Sequence, residues 1–472
     1  MTETTLLLDH ATAASNGHAH ESASGAVYGR ASIDRFGIDW QGRSVVVVGL
    51  ARSGIAACRL LHRMGCRVSV SELRDHDAVR AAAQQLKEQG IERAEVGRHS
   101  RQMLDGSEAV IVSPGVPESA PPIQWALEAG IPILSEIELA FRMCPAPIVA
   151  VTGTNGKSSS VMLIQRVLEA ARKRAIACGN IGLPFSDVVS TLTPESVAVV
   201  EVSSFQLLWC ERFHPTIGVL LNLGTNHLDR HADHAAYREA KARLFRCQTP
   251  DDYAVLNCGD EQVASLSQGI HAQHVWVGTD SVNAPRFHLD AATCRLLPES
   301  RQAVLQVARI FGIPDPLTYQ VMREFRGLEH RLEYVAIIRG VTVVNDAKST
   351  TPDSLLYALS RCPGPVVPII GGKDKGLDFH PLQAALTHER IRGIVLIGET
   401  RPRLKQLLKG SSIVREGQTL ADALRQAMGL AHAGDTVLFS PACASFDMFL
   451  DFEERGRLFK QLVRSQFITH NL

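Results

Sequence analysis

From Val45 onward, short unbroken apolar runs alternate with amphipathic stretches of helical period, which predicts parallel sheets covered by helices on both faces. A strand buried on both sides reads as continuous Val and Ile rather than as an apolar–polar alternation. The runs fall into three groups. The first holds Val45 to Leu50, Val68 to Glu72 and Ala109 to Ser113, with a helix expected from Ser53. The second holds Ile148 to Thr152, Val197 to Val202, Ile217 to Asn222 and Tyr253 to Asn257, with helices expected from Lys157 and over Tyr237 to Cys247. The third opens near Arg331 and holds Val341 to Asn345, Val366 to Ile370, Ile394 to Ile397 and Thr436 to Ser440. Prolines at 132, 145 and 147 mark the first boundary region. The expected organisation is three α/β domains, over 39–136, 137–329 and 330–472, behind an extension at 1–38 that is rich in Ala, Ser, Gly and His and lacks apolar periodicity.

Composition narrows the function. At 472 residues the chain exceeds what one hydrophobic core fills, and 45% apolar with 21% charged residues is the profile of a folded, soluble protein. Forty-nine basic residues balance forty-nine acidic ones, so no net field draws nucleic acid or an anionic membrane, and any anion must be gripped locally. The ten cysteines form no Cys-x-x-Cys pair, which predicts reduced thiols and a cytoplasmic protein. Leu6 to Leu8 has no basic leader and is not read as a signal peptide, and no run approaches the ~18 residues of a membrane span. A monomer is expected. His10, His18 and His20 beside Asp9 read as a solvated tail, because nothing orders them into a ligand set.

The chemistry concentrates after Thr152. An apolar strand, Ile148 to Thr152, runs into Gly153-Thr154-Asn155-Gly156-Lys157-Ser158-Ser159 and then a helix bearing Val161, Leu163, Ile164 and Val167. Glycines let backbone N–H groups converge on phosphate oxygens, the helix N-terminus adds positive dipole, Lys157 neutralises terminal phosphates, and Ser158 offers a hydroxyl to Mg²⁺. The generic loop has its first glycine where this chain has Val151. A bare glycine turn capping a helix is the alternative, but Gly-Lys-Ser at the mouth of such a strand points to nucleotide.

Ligands of doubly wound sheets collect at the carboxyl ends of strands. Two neighbours end in suitable groups: Val197 to Glu201 closes on a carboxylate, and Ile217 to Asn222 leads to His227. A lone Glu or His is usually solvated, yet a carboxylate and an imidazole beside a triphosphate complete Mg²⁺ shells that phosphates fill only partly.

Several ordered segments together resemble the Mur ligases, over about residue 41 to the C-terminus: Gly153 to Ser158, Gly179 to Pro184, Glu201 to Gln206, Asn226 to Arg230, Tyr237 to Lys241, His330-Arg331, Asn345 to Thr350, Gly371 to Lys375 and Ser440 to Ser445. The resemblance implies Rossmann-like first and third domains around a P-loop ATPase-like central one. It also implies an ATP-dependent ligase that activates the carboxylate of UDP-N-acetylmuramoyl-L-alanine as an acyl phosphate for attack by the amine of D-glutamate. Carried over residue by residue, Ser158 and Glu201 hold one Mg²⁺, and His227 with a carbamylated Lys241 holds a second. Arg331 and Asp346 join the loop on ATP. Ser53, Glu72, Arg74, Gly115 and Asn180 match positions for the UDP substrate, with Glu72 in place of the family's more usual Asp. Lys348 matches a catalytic position that also grips glutamate, and Thr350, Lys375, Ser445 and Phe452 complete the glutamate site. The family's Asn-containing adenine motif is missing from Leu296 to Val304.

Other readings stay open at this level. They are an L-glutamate-adding variant, a sister ligase adding diaminopimelate or lysine, a folylpolyglutamate synthase, a nucleotide-switch binding protein and a nicotinamide dehydrogenase. A GTP switch calls for Asn-Lys-x-Asp, which the sequence lacks, and the dehydrogenase leaves Lys157 without a role.

Overall fold

The computed structural model describes residues 32–91, 93–224, 233–278, 298–325, 327–362, 364–374, 376–409 and 413–468. His227 and Lys375 lie outside them, as does the 1–31 part of the expected extension.

The described strands form three sheets. The first is wholly parallel in the order β3-β2-β1-β4-β5, from β1 (Ser44–Val48), β2 (Arg67–Glu72), β3 (Arg93–Val96), β4 (Ala109–Val112) and β5 (Ile133–Ser135). The central sheet is also parallel, in the order β11-β10-β9-β6-β8-β7, from β6 (Ile148–Thr152), β7 (Ala175–Gly179), β8 (Val197–Glu201), β9 (Ile217–Leu220), β10 (Tyr253–Asn257) and β11 (Gln273–Val277). The third runs β12-β13-β17-β14-β15-β16, from β12 (Glu333–Ile338), β13 (Val341–Asn345), β14 (Val366–Gly371), β15 (Ile394–Ile397), β16 (Val414–Glu416) and β17 (Thr436–Phe439).

The continuous apolar runs are explained by the packing. In the central sheet Ala150, Val200 and Leu220 face one core while Val149, Val151, Val199 and Val219 face another. The third sheet divides likewise, Val366, Ile370 and Leu396 against Val367, Ile369 and Val395. One core runs without a break from Val45, Val47 and Leu134 of the first unit to Ala150 and Leu220 of the second, so these two units pack against each other through apolar side chains.

Two features depart from the sequence reading. Strand β12 is antiparallel to β13 at an edge of the sheet, where one side is open and the continuous apolar signal fails. The helix expected over Tyr237 to Cys247 is shorter, His234–Ala242, with Asp233 capping its start. Among the described residues no helix is long and apolar enough to cross a membrane.

Candidate active site

Strand order decides what surrounds the phosphate loop. Because β6 lies between β8 and β9, the loop leaves the sheet with Glu201 on one side and Asn222 on the other. Gly153 is pressed there: an added Cβ would meet the Leu221 Cβ at 3.1 Å. Gly156 caps the helix Lys157–Ala170 with φ of 85°, a left-handed conformation that costs an L side chain about 1–2 kcal/mol. The Asn222 amide clamps the turn, its Oδ1 accepting from Thr154 N at 3.0 Å and Asn155 N at 2.8 Å. On the far side, the Thr154 hydroxyl accepts from Gly224 N at 2.8 Å and pairs with the Tyr237 hydroxyl at 2.9 Å.

Four charged groups meet at this loop. Lys157 Nζ donates to the carbonyls of Gly153 and Thr154, and burial lowers its pKa to about 8, with Arg331 and Lys348 pushing the same way and Glu201 opposing. Glu201 is 2% exposed; its Oε1 accepts from Asn180 Nδ2 at 2.9 Å, and among the described residues its buried Oε2 has no hydrogen-bond partner within 3.5 Å. Burial alone would raise that carboxyl, but Lys157 and Lys348 hold it below the usual carboxylate range. Lys241, also 2% exposed, donates to Thr152 Oγ1 at 3.2 Å and Gly153 O at 3.0 Å. Burial and the neighbouring Lys157 drive its pKa well below that of an ordinary lysine, against the pull of Glu201. The helix His234–Ala242 sets this up: four residues apart, Tyr237 and Lys241 share a face, so one reaches Thr154 and the other passes beneath the loop.

The fourth group arrives from the third unit. Arg331 Nη1 donates to Ser158 Oγ at 3.4 Å. Arg331 is flanked by His330 and Leu332, both in left-handed backbone at φ of 63° and 44°. Tertiary bonds hold this strained segment: His330 N donates to Glu333 Oε2, Asn345 Nδ2 meets His330 Nδ1 at 3.0 Å, and Leu332 N donates to Asp346 Oδ1 at 3.0 Å. Asp346 is buried and also accepts from Ser440 Oγ at 2.7 Å; burial raises its pKa to about 6 against those bonds.

Lys348 is held by its backbone, whose N–H donates to His330 O at 3.0 Å, and its Nζ lies 5.8 Å from the centre of the Phe452 ring. Burial lowers its pKa, with Glu201 opposing. Ser445 is buried, Thr350 half-buried, and both belong to loops joined by a residue the sequence reading missed. Arg455, 0% exposed, donates to Cys443 O at 3.0 Å and Ala347 O at 2.7 Å. Its one sequence signal is an arginine on the apolar face of an amphipathic helix.

In the first unit Glu72 closes the Gly49 to Gly54 turn. It accepts from Leu50 N at 2.6 Å and from Arg74 through the backbone N at 2.8 Å and two guanidinium nitrogens at 2.9 Å. Burial would raise its pKa, but these donors bring it to about 2. The extra methylene of a Glu is thus used inward, leaving the half-exposed Arg74 guanidinium facing out. Ser53 stands in the first turn of the helix Arg52–Arg63, and Arg52 donates to the carbonyl of Gly182, two residues beyond Asn180. Gly115 lies in the turn after β4, with open space around it.

Three family descriptions cover most of the chain: Mur ligase MurD-like N-terminal domain at 43–135, Mur ligase middle domain at 151–306, and Mur ligase glutamate ligase domain at 330–443. A UDP-N-acetylmuramoylalanine–D-glutamate ligase of Pelotomaculum thermopropionicum is 37% identical over 452 residues, 90% of this chain and 98% of that one. The chain belongs to the Mur ligase family. A second enzyme of that name, from Pelobacter propionicus, is 38% identical over 445 residues, covering 90% of this chain and 99% of its own. Solved Mur ligases share the fold: MurF ligase of Thermotoga maritima, crystallised with ADP, superposes with a TM-score of 0.56 at 15% identity over 90% of this chain and 96% of that one. UDP-N-acetylmuramate-alanine ligase MurC of the same organism gives 0.55 at 18% identity over 90% and 99%.

Mur ligases use ATP with Mg²⁺, and the donors of this Mur ligase suit such an ion. A hard divalent cation takes oxygen ligands and leaves positions for phosphate and water. The unpartnered Glu201 Oε2 and the Ser158 hydroxyl are oxygen donors of that kind. Among the described residues no group of three His, Cys, Asp or Glu side chains is assembled.

Proposed function

We propose that this Mur ligase joins D-glutamate to UDP-N-acetylmuramoyl-L-alanine at the expense of ATP, in peptidoglycan precursor synthesis. A carboxylate cannot expel oxide, so it must first become an acyl phosphate; the glutamate amine then adds to the acyl carbon and phosphate leaves with the C–O bond electrons. The reading is carried by the meeting of Lys157, Glu201, Lys241 and Arg331 on residues 153–158, because one of the four reaches across from the third unit. The glutamate and muramoyl substrates follow from the names of the relatives at 37% and 38% identity.

In this reading Lys157 swings from the Gly153 carbonyl to the terminal phosphates, and Arg331 stabilises charge on the group in transfer. Little covalent chemistry is asked of the protein; positioning and charge neutralisation carry the rate. Ser158 and Glu201 would hold one Mg²⁺ and His227 with Lys241 a second, and such ions would neutralise phosphate charge. Lys241 takes that role as a carbamate: its amine nitrogen bonds to the carbon of CO₂ and loses a proton, turning a repelling cation into an anionic oxygen donor. The depressed basicity of Lys241 supports this step, since only the neutral amine reacts. Ser53, Arg74, Gly115 and Asn180 are assigned to the UDP-sugar, with Glu72 shaping the Gly49 to Gly54 turn, and Lys348, Thr350, Lys375, Ser445 and Phe452 are assigned to the amino acid. Asp346 and Ser159 belong to the nucleotide side.

The test is ADP release across a panel of amino acids. ADP is expected only with UDP-N-acetylmuramoyl-L-alanine and D-glutamate both present. Steady ADP without the UDP-sugar contradicts the ligase reading, and turnover with L- but not D-glutamate overturns the stereochemistry.

A further inference from the structure

Asn222 holds the phosphate loop through an amide, and an amide can be turned either way. Its Oδ1 accepts from Thr154 N and Asn155 N. Its Nδ2 donates to Asn155 O at 3.3 Å and to Glu299 Oε1 at 2.9 Å. Were the amide reversed, its N–H₂ would confront two backbone N–H donors, and the loop would have to move away. Glu299 is the group that makes reversal unfavourable, because an ionised carboxylate only accepts, and a charge-assisted bond is about twice as strong as a neutral one.

Glu299 is itself held in place. It stands near the start of the helix Pro298–Ile310, and one turn on, Gln302 Oε1 accepts from Gly278 N just beyond β11. Apolar residues of the same helix, Ala303, Val304 and Val307, are buried in the core with Val161 and Leu163 of the loop's own helix. The helix is therefore braced against the strand ends and the loop's helix, and the carboxylate is presented at a fixed distance from Asn222. The bond that Asn222 Nδ2 donates to Glu299 also polarises the amide, which strengthens Oδ1 as an acceptor for the loop.

We infer that Glu299 is a positioning residue for ATP, acting through Asn222 to hold the Thr154 and Asn155 amides in their nucleotide-binding orientation. This rests on the reading of residues 153–158 as the ATP phosphate site. Neither residue need touch the nucleotide, so the effect falls on ATP affinity rather than on bond formation.

The test is steady-state ADP release with ATP, UDP-N-acetylmuramoyl-L-alanine and D-glutamate for the unaltered enzyme, E299A, E299Q, N222A and E299A/N222A. Absence of ADP with the unaltered enzyme would refute the underlying ATP reading. Given turnover, E299A is expected to raise KM for ATP about tenfold, the scale of one misdirected hydrogen bond, with kcat and the other two KM values within about twofold. E299Q keeps an acceptor for Nδ2 and is expected within about threefold of the unaltered enzyme. The double variant is expected to be no weaker for ATP than N222A alone. An unchanged KM in E299A overturns the inference. So does an E299Q as weak as E299A, which would mean that the charge acts on nucleotide directly, or a double variant whose losses multiply. Should E299A not fold, E299D, with its carboxylate one methylene short of Asn222, takes its place in the same comparison.

Discussion

The Lys157 ammonium lies 2.8 Å from the carbonyl oxygen of Gly153, so the lysine expected to grip phosphate is folded back onto its own loop. Burial has already brought its pKa down to about 8. Below that pH the side chain is a cation and attracts ATP; above it the free enzyme loses the charge. We therefore expect kcat/KM for ATP to fall with rising pH from about 8, tending to tenfold per unit. Bound phosphates restore the proton, so kcat falls later. A kcat/KM profile flat to pH 9.5 would show that this lysine does not titrate there.

Lys241 is buried, and among the described residues its hydrogen-bond partners are a hydroxyl and a carbonyl. If its function is a carbamate oxygen on the metal, Lys241→Ala should lose turnover by roughly 100-fold or more, the upper range for disturbed metal sites. Lys241→Arg should not recover it, because a guanidinium does not take up CO₂. Thermal unfolding should show the Ala variant still folded, so that the loss is one of function. A carbamate carbon signal in enzyme equilibrated with ¹³C-bicarbonate, absent from Lys241→Ala, is the direct measurement; near-normal turnover of Lys241→Ala sinks the proposal.

How much of this was legible follows from what kind of signal each residue leaves. Strands β6, β8 and β9 were readable because burial on both faces writes continuous Val and Ile into the chain, and the loop because its glycines are forced by backbone geometry. Strand β12 and the short edge strand β3, Arg93–Val96, leave no such run, since one side is open. Asn222 and Glu299 are 77 positions apart and meet only after β9 and a helix are packed, so neither carries a local signature. Arg455 joins the loops at Ala347 and Cys443, far apart in the chain, in the same way. Lys241 was found by resemblance alone; by residue type it is an ordinary helix lysine. His227 and Lys375, expected on metal and glutamate, lie outside the described residues.

Gly456 allows the strained segment 330–332 to be tested without touching the loop. A Cβ there would sit 2.2 Å from His330 Nδ1 and 2.6 Å from its Cγ, closer than any real contact, while His330 precedes the arginine that reaches Ser158. Gly456→Ala should therefore destabilise the protein by about 1–3 kcal/mol, as overpacking does. By shifting His330 it should also raise KM for ATP, with little change in KM for the UDP-sugar. Thermal unfolding and kinetics with each substrate varied in turn check both halves. Unchanged values in both would mean that the segment yields freely and does not position Arg331.

Asp346, which accepts from Leu332 N, offers a test of the same segment through pH. Its pKa is raised from an ordinary 3.8 to about 6, chiefly by burial, with Ser440 and Leu332 N–H pulling the other way. A carboxyl whose pKa is raised on folding binds its proton more tightly in the native state. Its stabilising contribution is thus complete below the unfolded value and is lost as pH climbs through about 6. Asp346→Asn removes that titration and still offers Oδ1 to Leu332 N and an N–H₂ to the Ser440 hydroxyl. The difference in melting temperature between the variant and the unaltered protein should accordingly move in favour of Asp346→Asn between pH 4.5 and 7, then level off. A difference that moves in the opposite direction over that interval would mean that Asp346 is held as a carboxylate by Arg331 and Arg455 more strongly than burial opposes it, and would place a fixed negative charge beside the arginine that reaches the phosphate loop.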